Sequence, residues 1–464
     1  MHIEIVFSPY FKMVFREENG CTVEVPFYPK NIQERFADLP FMTVKDIELC
    51  KTEDSCCVII NNLVFEVSTF LKTHPGGSLV LLNSGGKNVT DAFENYHNAS
   101  THKKLDKFLI GKVVVENTPE HVIAFRNLRQ QMLRKNMFHT NHFYYCKLAL
   151  CLLSLFTVSL YLSCGMMDAF SRNMRLVGAC LLGFFWQQLS GIGHDLGHTS
   201  ITHIFKVDHL VGSLLISVLG LSIGWWKIDH NNHHVNTNSI ENDPNIQHLP
   251  LLATSTRILK GFYDRYHQKQ VSIDSLTKQI ISSQHLFVYP LILLGRFNLY
   301  FQQIMFMYTR YDKHNFWRTE MCGFSIFCIW YLSLAFSQPN TIFAFYWILV
   351  SHITSGILHV QIVISHWAME KYVSIPEDDW YLQQLKTTMN IKTNEWLDFI
   401  HVGLQFQIEH HMYPRIPRHH LRIVRKMVKD ICKRHDLHHL ELTFFNANVC
   451  TWKNLKTIAN SAKL

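Results

Sequence analysis

Charge is scarce in this sequence: Asp, Glu, Lys and Arg make up 17% of it, against 48% hydrophobic residues. That balance is richer in apolar residues than most soluble enzymes and points to a membrane protein. The 12 cysteines include no CxxC pair, which argues against a disulfide framework and fits a reducing cytosolic face. The opening MHIEIVFSPYFKMVFREENG has neither a positive leader nor a cleavage-like site, so no secretory signal peptide is expected. No nucleic-acid motif accompanies the formal charge of +8, which is read as a preference for a membrane surface. Internal repeats and low-complexity segments are absent as well.

What the chain does have is histidine in three tight groups. GWWKIDHNNHH holds His230, His233 and His234, and on a helix the i, i+3 and i+4 positions share a face. HDLGH places His194 and His198 at i and i+4, and QIEHH groups Gln407 with His410 and His411. Neutral imidazole is the commonest metal ligand and suits iron, zinc and copper. Carboxylates and thiolates are thin in these strings, so the implied site is nitrogen-rich. His366, at the end of an apolar run, is an eighth candidate, and His359 a weaker one. Two metals at four imidazoles each would use all eight and leave positions open. Asp195, Asp229, Glu241, Asp243 and Glu409 lie close enough in sequence to orient them.

Four stretches are long and apolar enough to span a bilayer, at about 146–166, 175–193, 321–337 and 340–364. Two more runs, about 207–224 and 286–309, pose a constraint. Were 207–224 to cross, the first and second histidine groups would stand about 30 Å apart on opposite sides. A shared metal centre therefore requires both runs to dip and return, or to lie in the interface. With four crossings, every group falls on one face. Residues 117–145 read as a basic linker near the membrane surface. Arg418, Arg422, Arg425, Lys426 and Lys429, in the tail after QIEHH, read as a cap resting on anionic headgroups. The terminal Ala462-Lys463-Leu464 is treated as a chance likeness to a peroxisomal address.

Ahead of the spans the texture differs. Pro26, Pro29 and Pro40 predict a loosely structured lead-in over residues 1–41. CCVIINNLVFEV predicts two strands across an Asn61-Asn62 turn. His74 and His97 then sit between apolar patches and helix ends, where paired axial ligation of a haem iron is one reading and an ordinary turn histidine another. FLKTHPGG, DAFENYH and LDKFLIGKVVV together resemble a cytochrome b5 domain over residues 42–116. The resemblance implies haem b with His74 and His97 as axial ligands, His102 as the rival for the second, and Phe93 and Tyr96 near the haem.

With that domain in front, the HxxxH, HxxHH and QxxHH groups resemble the front-end membrane desaturases from about residue 42 to 430. The expected fold is an α+β haem domain followed by an all-α integral membrane domain of four transmembrane helices (146–440), interfacial helices and a cytosolic cap, with a tail at 441–464. The resemblance implies a di-iron centre with catalytic His194, His198, His230, His233, His234, His410 and His411, and with His366 and Gln407 as further ligands. It also implies O2 as co-substrate, a lipid substrate, an NAD(P)H-dependent cytochrome b5 reductase as electron source, and an endoplasmic reticulum membrane with haem domain and histidines on the cytosolic side. NTNSIENDPNIQHLP, GRFNLY and LHVQIVISHWAM look most like sphingolipid Δ8 desaturases, acting on the long-chain base of ceramide. LQFQIEHHMYPRIPRHHLR is shared with Δ6 and Δ5 fatty-acyl desaturases, the alternative; a lipid hydroxylase and a haem carrier with vestigial histidines are further ones. Val402 stands where this group commonly has glycine, and is expected to reshape the substrate channel.

Overall fold

A computed structural model describes residues 3–8, 11–18, 21–27, 38–113, 118–164, 172–310, 316–374 and 379–463. The chain divides into two compact units, Met1–Lys135 and Asn136–Leu464.

In the first unit, Cys57–Ile60, Leu63–Glu66 and Leu109–Lys112 form an antiparallel sheet in that order. Asn61 and Asn62 both take positive φ, 51° and 62°, which a two-residue hairpin turn of this hand requires and asparagine tolerates. Alternate strand residues point to opposite faces, so Val58, Ile60 and Phe65 pack with Leu71 and Phe93 on one side. Cys57, Ile59 and Val64 pack with Ile47 on the other. Short helices Thr90–Tyr96 and Ala99–Leu105 follow, and His97 caps the first of them.

Two stretches differ from the sequence expectation. The lead-in holds an antiparallel meander, Ile3–Ser8, Phe11–Glu18 and Cys21–Phe27. Pro26 is compatible with it because the third strand is an edge, where a missing N–H costs no ladder bond; Pro29 lies outside the described residues. The basic stretch from Glu120, helical in pattern and expected as a linker, holds the helix Glu120–Arg134, which groups with the first unit instead. Its buried stripe Val122, Phe125, Leu128 and Met132 has helical spacing, and Arg126 donates to Asp91 at 2.8 Å.

The second unit is helical. Among the described residues, four helices are long and apolar enough to cross a membrane: His142–Cys164, Arg172–Gly197, Trp317–Phe336 and Thr341–Val363. They leave Leu150, Ile329, Phe336 and Ile342 exposed, as lipid-facing side chains would be. Between them lie Phe205–Ser217, Gln284–Leu293 and Gly295–Arg310, of 13, 10 and 16 residues, too short to add a full crossing. After the last span, the helix Leu421–Arg434 buries Val424, Val428 and Ile431, and the helix Phe444–Ser461 packs Ala447, Leu455 and Ile458 into a core with Ile281 and Val288. Ala462 is buried in that same core, a structural role for a residue of the terminal tripeptide. No disulfide occurs among the described cysteines.

Candidate metal centre

Four separate segments deliver the histidines. His194 lies on the last turn of the helix Arg172–Gly197 (box-1 helix), with His198 just past its end. A Cβ on Gly197 would stand 2.2 Å from the Trp226 ring. Only glycine there lets the Ile223–Val235 helix (box-2 helix), which carries His230, His233 and His234, come so close. His366 follows the last span, and Gln407–Met412 carries His410 and His411.

The imidazoles converge in two groups. Donor atoms of His194, His198, His230 and His410 all lie within 4.8 Å of one another, and so do those of His233, His366 and His411. His234 lies against both groups: its Nε2 is 3.0 Å from Nε2 of His230 and 3.1 Å from that of His410, and its ring stacks on His411 at 4.0 Å. Two nitrogens about 3 Å apart match adjacent ligands of one ion at metal–nitrogen bonds of about 2.1 Å. Buried Nε2 atoms of His194 and His411 have no hydrogen-bond partner among the described residues, a cost a bound cation would remove. Burial, reinforced by neighbouring imidazoles, holds His198, His230, His234, His410 and His411 well below the ordinary histidine value, in the neutral form that binds metal. Burial does the same to His366, with His233 adding to it. The donor set therefore fits a pair of imidazole-preferring metal ions.

Partners on the opposite ring nitrogen fix several of these side chains. His233 Nδ1 contacts Asp243 Oδ2 at 2.9 Å, His411 Nδ1 contacts Gln384 Oε1 at 3.0 Å, and His366 Nδ1 faces the Thr387 carbonyl at 3.3 Å. Asn238 Nδ2 donates to the carbonyls of His366 and Thr387, and Lys371 Nζ to those of His366, Trp367 and Met369. Of the five carboxylates expected to orient imidazoles, Asp243 does so and Asp195 lies 3.7 Å from His194 Nδ1. Asp229 is taken up by Asn245, Glu241 by Arg265, and Glu409 by His439 and Asn390. Gln407 is buried one turn ahead of His410 and His411 on their helix. His359 stands apart, against the Ile292 carbonyl.

Arg418 corrects the reading of the basic tail. It is buried, and its Nε donates to Asp195 Oδ2 at 2.6 Å, the same oxygen that accepts from Tyr145. Arg422 pairs with Asp398 and Arg425 with Glu441, so much of that charge is spent inside the cap rather than toward headgroups. Asn238, Gln384 and Arg418 were invisible as site residues because their partners lie far away in sequence, and Lys371 because a lysine close to carbonyls in sequence carries no signal of its own. The one local hint is that Arg418 follows the third histidine group. Val402 sits in the left-handed region at φ 50°, where a glycine would be unstrained, and its side chain packs toward Gly191 of the box-1 helix.

In the first unit, His74 and His97 rings stand 6.2 Å apart between centroids. A bis-imidazole iron, with bonds of about 2 Å, needs a centroid separation of roughly 6 Å. Nδ1 of His74 meets the Gly77 carbonyl and Nδ1 of His97 that of Phe93, each at 3.0 Å, which leaves the lone pair on Nε2 of both. His102 is instead held by Glu94 at 3.3 Å. Phe93 stacks on His97 and is also a core residue.

Comparison with known proteins agrees with this geometry. The model of the cytochrome b5-like haem/steroid binding domain matches residues 43–114, and that of fatty acid desaturases matches residues 172–443. Delta(8)-fatty-acid desaturase 2 of Arabidopsis thaliana is 33% identical over 91% of this chain and 94% of its own. An acyl-lipid (9-3)-desaturase of Borago officinalis is 33% identical over 88% of this chain and 90% of its own. A delta 8-(E)-sphingolipid desaturase of Komagataella phaffii is 40% identical over 59% of this chain and 52% of its own. Histidine convergence in the second unit and paired imidazoles in the first thus have one explanation: the chain belongs to the fatty acid desaturase family and carries a cytochrome b5-like domain at its N-terminal side.

Proposed function

We propose that the chain is an O2-dependent desaturase that places a double bond in the long-chain base of ceramide. The observation that carries the reaction class is the pair of imidazole groups joined through His234. Bound there, two irons would supply oxygen activation and the removal of two hydrogens from neighbouring methylenes. Overall, one O2, two electrons and two protons would join those hydrogens to leave two waters and an alkene. His194, His198, His230 and His410 would hold one iron; His233, His366 and His411 would hold the other, with His234 between them and Gln407 as a further candidate. Asp243, Gln384 and the Thr387 carbonyl keep the imidazoles turned inward, and burial of the groups excludes water.

His74 and His97 would hold the haem that relays single electrons, drawn from an NAD(P)H-dependent reductase. An even number of candidate spans before each histidine group supports a shared cytosolic face, in a membrane such as the endoplasmic reticulum. Similarity to sphingolipid desaturases favours ceramide, while the likeness to the Borago acyl-lipid enzyme favours a fatty-acyl chain as the second reading.

Expression in a host lacking these unsaturated lipids, followed by mass spectrometry of long-chain bases and fatty acids separately, tests both. A new double bond in the long-chain base is expected. Unsaturation confined to the fatty acids would favour the second reading, and a hydroxylated product would replace the reaction class.

A further inference from the structure

The box-2 helix brings imidazoles to both groups, His230 to the first and His233 to the second, as the short helix Gln407–Met412 does with His410 and His411. It is entered by a reversal: Phe205–Ser217 ends, the chain turns through residues 218–222, and the new helix begins at Ile223. Such a turn among membrane-spanning helices leaves backbone groups that no water would satisfy. Three buried polar side chains from two other helices take them up. Arg296 donates to the Leu219 carbonyl. Gln303 donates to the Gly220 carbonyl and accepts from the Ser222 N–H at 2.7 Å.

Glu320, in the first turn of the span Trp317–Phe336, does most. Its carboxylate accepts from the Gly224 N–H at 2.9 Å, from the Ser222 hydroxyl, and from Ser213 at 3.2 Å; His209 Nε2 stands 3.9 Å away. Ser222 Oγ in turn caps the new helix through the Trp225 N–H. A carboxylate at a helix N-terminus is favoured by the dipole, and here it is 2% exposed. The same face of that span fits the turn without gaps. A Cβ on Gly323 would lie 2.1 Å from Ser217 Cβ, and one on Gly220 (φ 71°) would lie 2.3 Å from the Phe327 ring.

We propose that Glu320 is a positioning residue for the whole metal centre, setting the register and tilt of the box-2 helix; this rests on the two-iron reading above. From Gly224 to His230 the rise is only about 9 Å of continuous helix. A displaced helix start is therefore transmitted directly to the imidazoles, which need placement to about half an ångström. Loss of Glu320 disturbs both groups together. Loss of Asp243, whose imidazole partner His233 belongs to the second group, disturbs that group.

The test uses the full chain in detergent, loaded with ferrous iron, with non-haem iron counted per chain and its Mössbauer spectrum recorded. Glu320→Leu is expected to weaken iron binding at both sites in parallel, on the order of tenfold or more. Its turnover should fall while KM for the lipid stays near that of the parent. Glu320→Gln, which keeps one acceptor, should lie between. Ser222→Ala should show the same parallel loss in milder form, and decides the matter if Glu320→Leu does not fold. Parallel loss supports the inference. Parent-like iron affinity and spectrum in the folded Glu320→Leu, or in Ser222→Ala if that variant decides, overturns it. A parent protein holding no iron beyond the haem would instead overturn the two-iron reading itself.

Discussion

At the scale of single residues, the centre depends on hydrogen bonds behind the imidazoles as much as on the imidazoles. Asp243 accepts from His233 Nδ1 and from the backbone N–H of Asn238 and Asn245, so one carboxylate holds a ligand and the loop beyond it. Asp243→Asn is expected to weaken iron at the second group about 10- to 100-fold while sparing the first, as counted by metal analysis. Histidine spacing made the imidazoles readable, because i, i+3 and i+4 fix a shared face whatever the fold. Nothing comparable announces Asn238, Gln384 or Arg418, whose role exists only once distant segments meet.

The same buried imidazoles set a pH dependence. In the folded chain, burial first and neighbouring imidazoles second hold six of them well below the ordinary value of 6.5. An unfolded chain takes up protons on them near that value and the folded chain does not. Their contribution is therefore complete above about pH 6.5 and is lost as pH falls from there toward their folded values. Each group removes up to about 1.4 kcal/mol per pH unit over that interval. Chelator-treated protein should melt at progressively lower temperature from pH 6.5 to 5; a flat profile would contradict the burial of neutral rings.

Among elements, the box-1 helix and the last span approach each other backbone to backbone. A Cβ on Gly183 would come 2.3 Å from the Ser351 carbonyl oxygen and 2.7 Å from Thr354 Cβ. Close backbone approach of this kind is how helices associate where lipid removes the hydrophobic drive. Gly183→Ala should cost about 1–3 kcal/mol and lower the thermal midpoint in detergent, and it should reduce iron retention because the first helix carries His194 and the second leads directly into His366. The four spans were legible from apolar length alone, since bilayer thickness dictates it. The short helices between them were legible only through the demand that the histidines meet. The Ile3–Phe27 meander was not, because its prolines signal irregular chain unless an edge strand is already known.

On the scale of the whole molecule, each of the two units gathers imidazoles of its own. His74→Ala should abolish the haem absorbance and cut turnover supported by the native electron donor, while non-haem iron stays at the parent level. Loss of both metals together would show that the units do not hold them independently. The haem part was legible because HPGG and the Asn61-Asn62 turn are local signals, and the structure bears out the hairpin. Charge distribution was less legible: arginines in the tail looked solvent-facing until Asp195, Asp398 and Glu441 were found beside them.

Ile223–Val235 leaves one more consequence. His230 and His233 are three residues apart, a rise of about 4.5 Å along a rigid axis. Ions held by these two imidazoles would inherit part of their spacing from helical pitch, which a lipid entering the protein does not set. Discrimination among chains must then be made by walls remote from this ruler, and efforts to retarget the enzyme should leave its graduations alone.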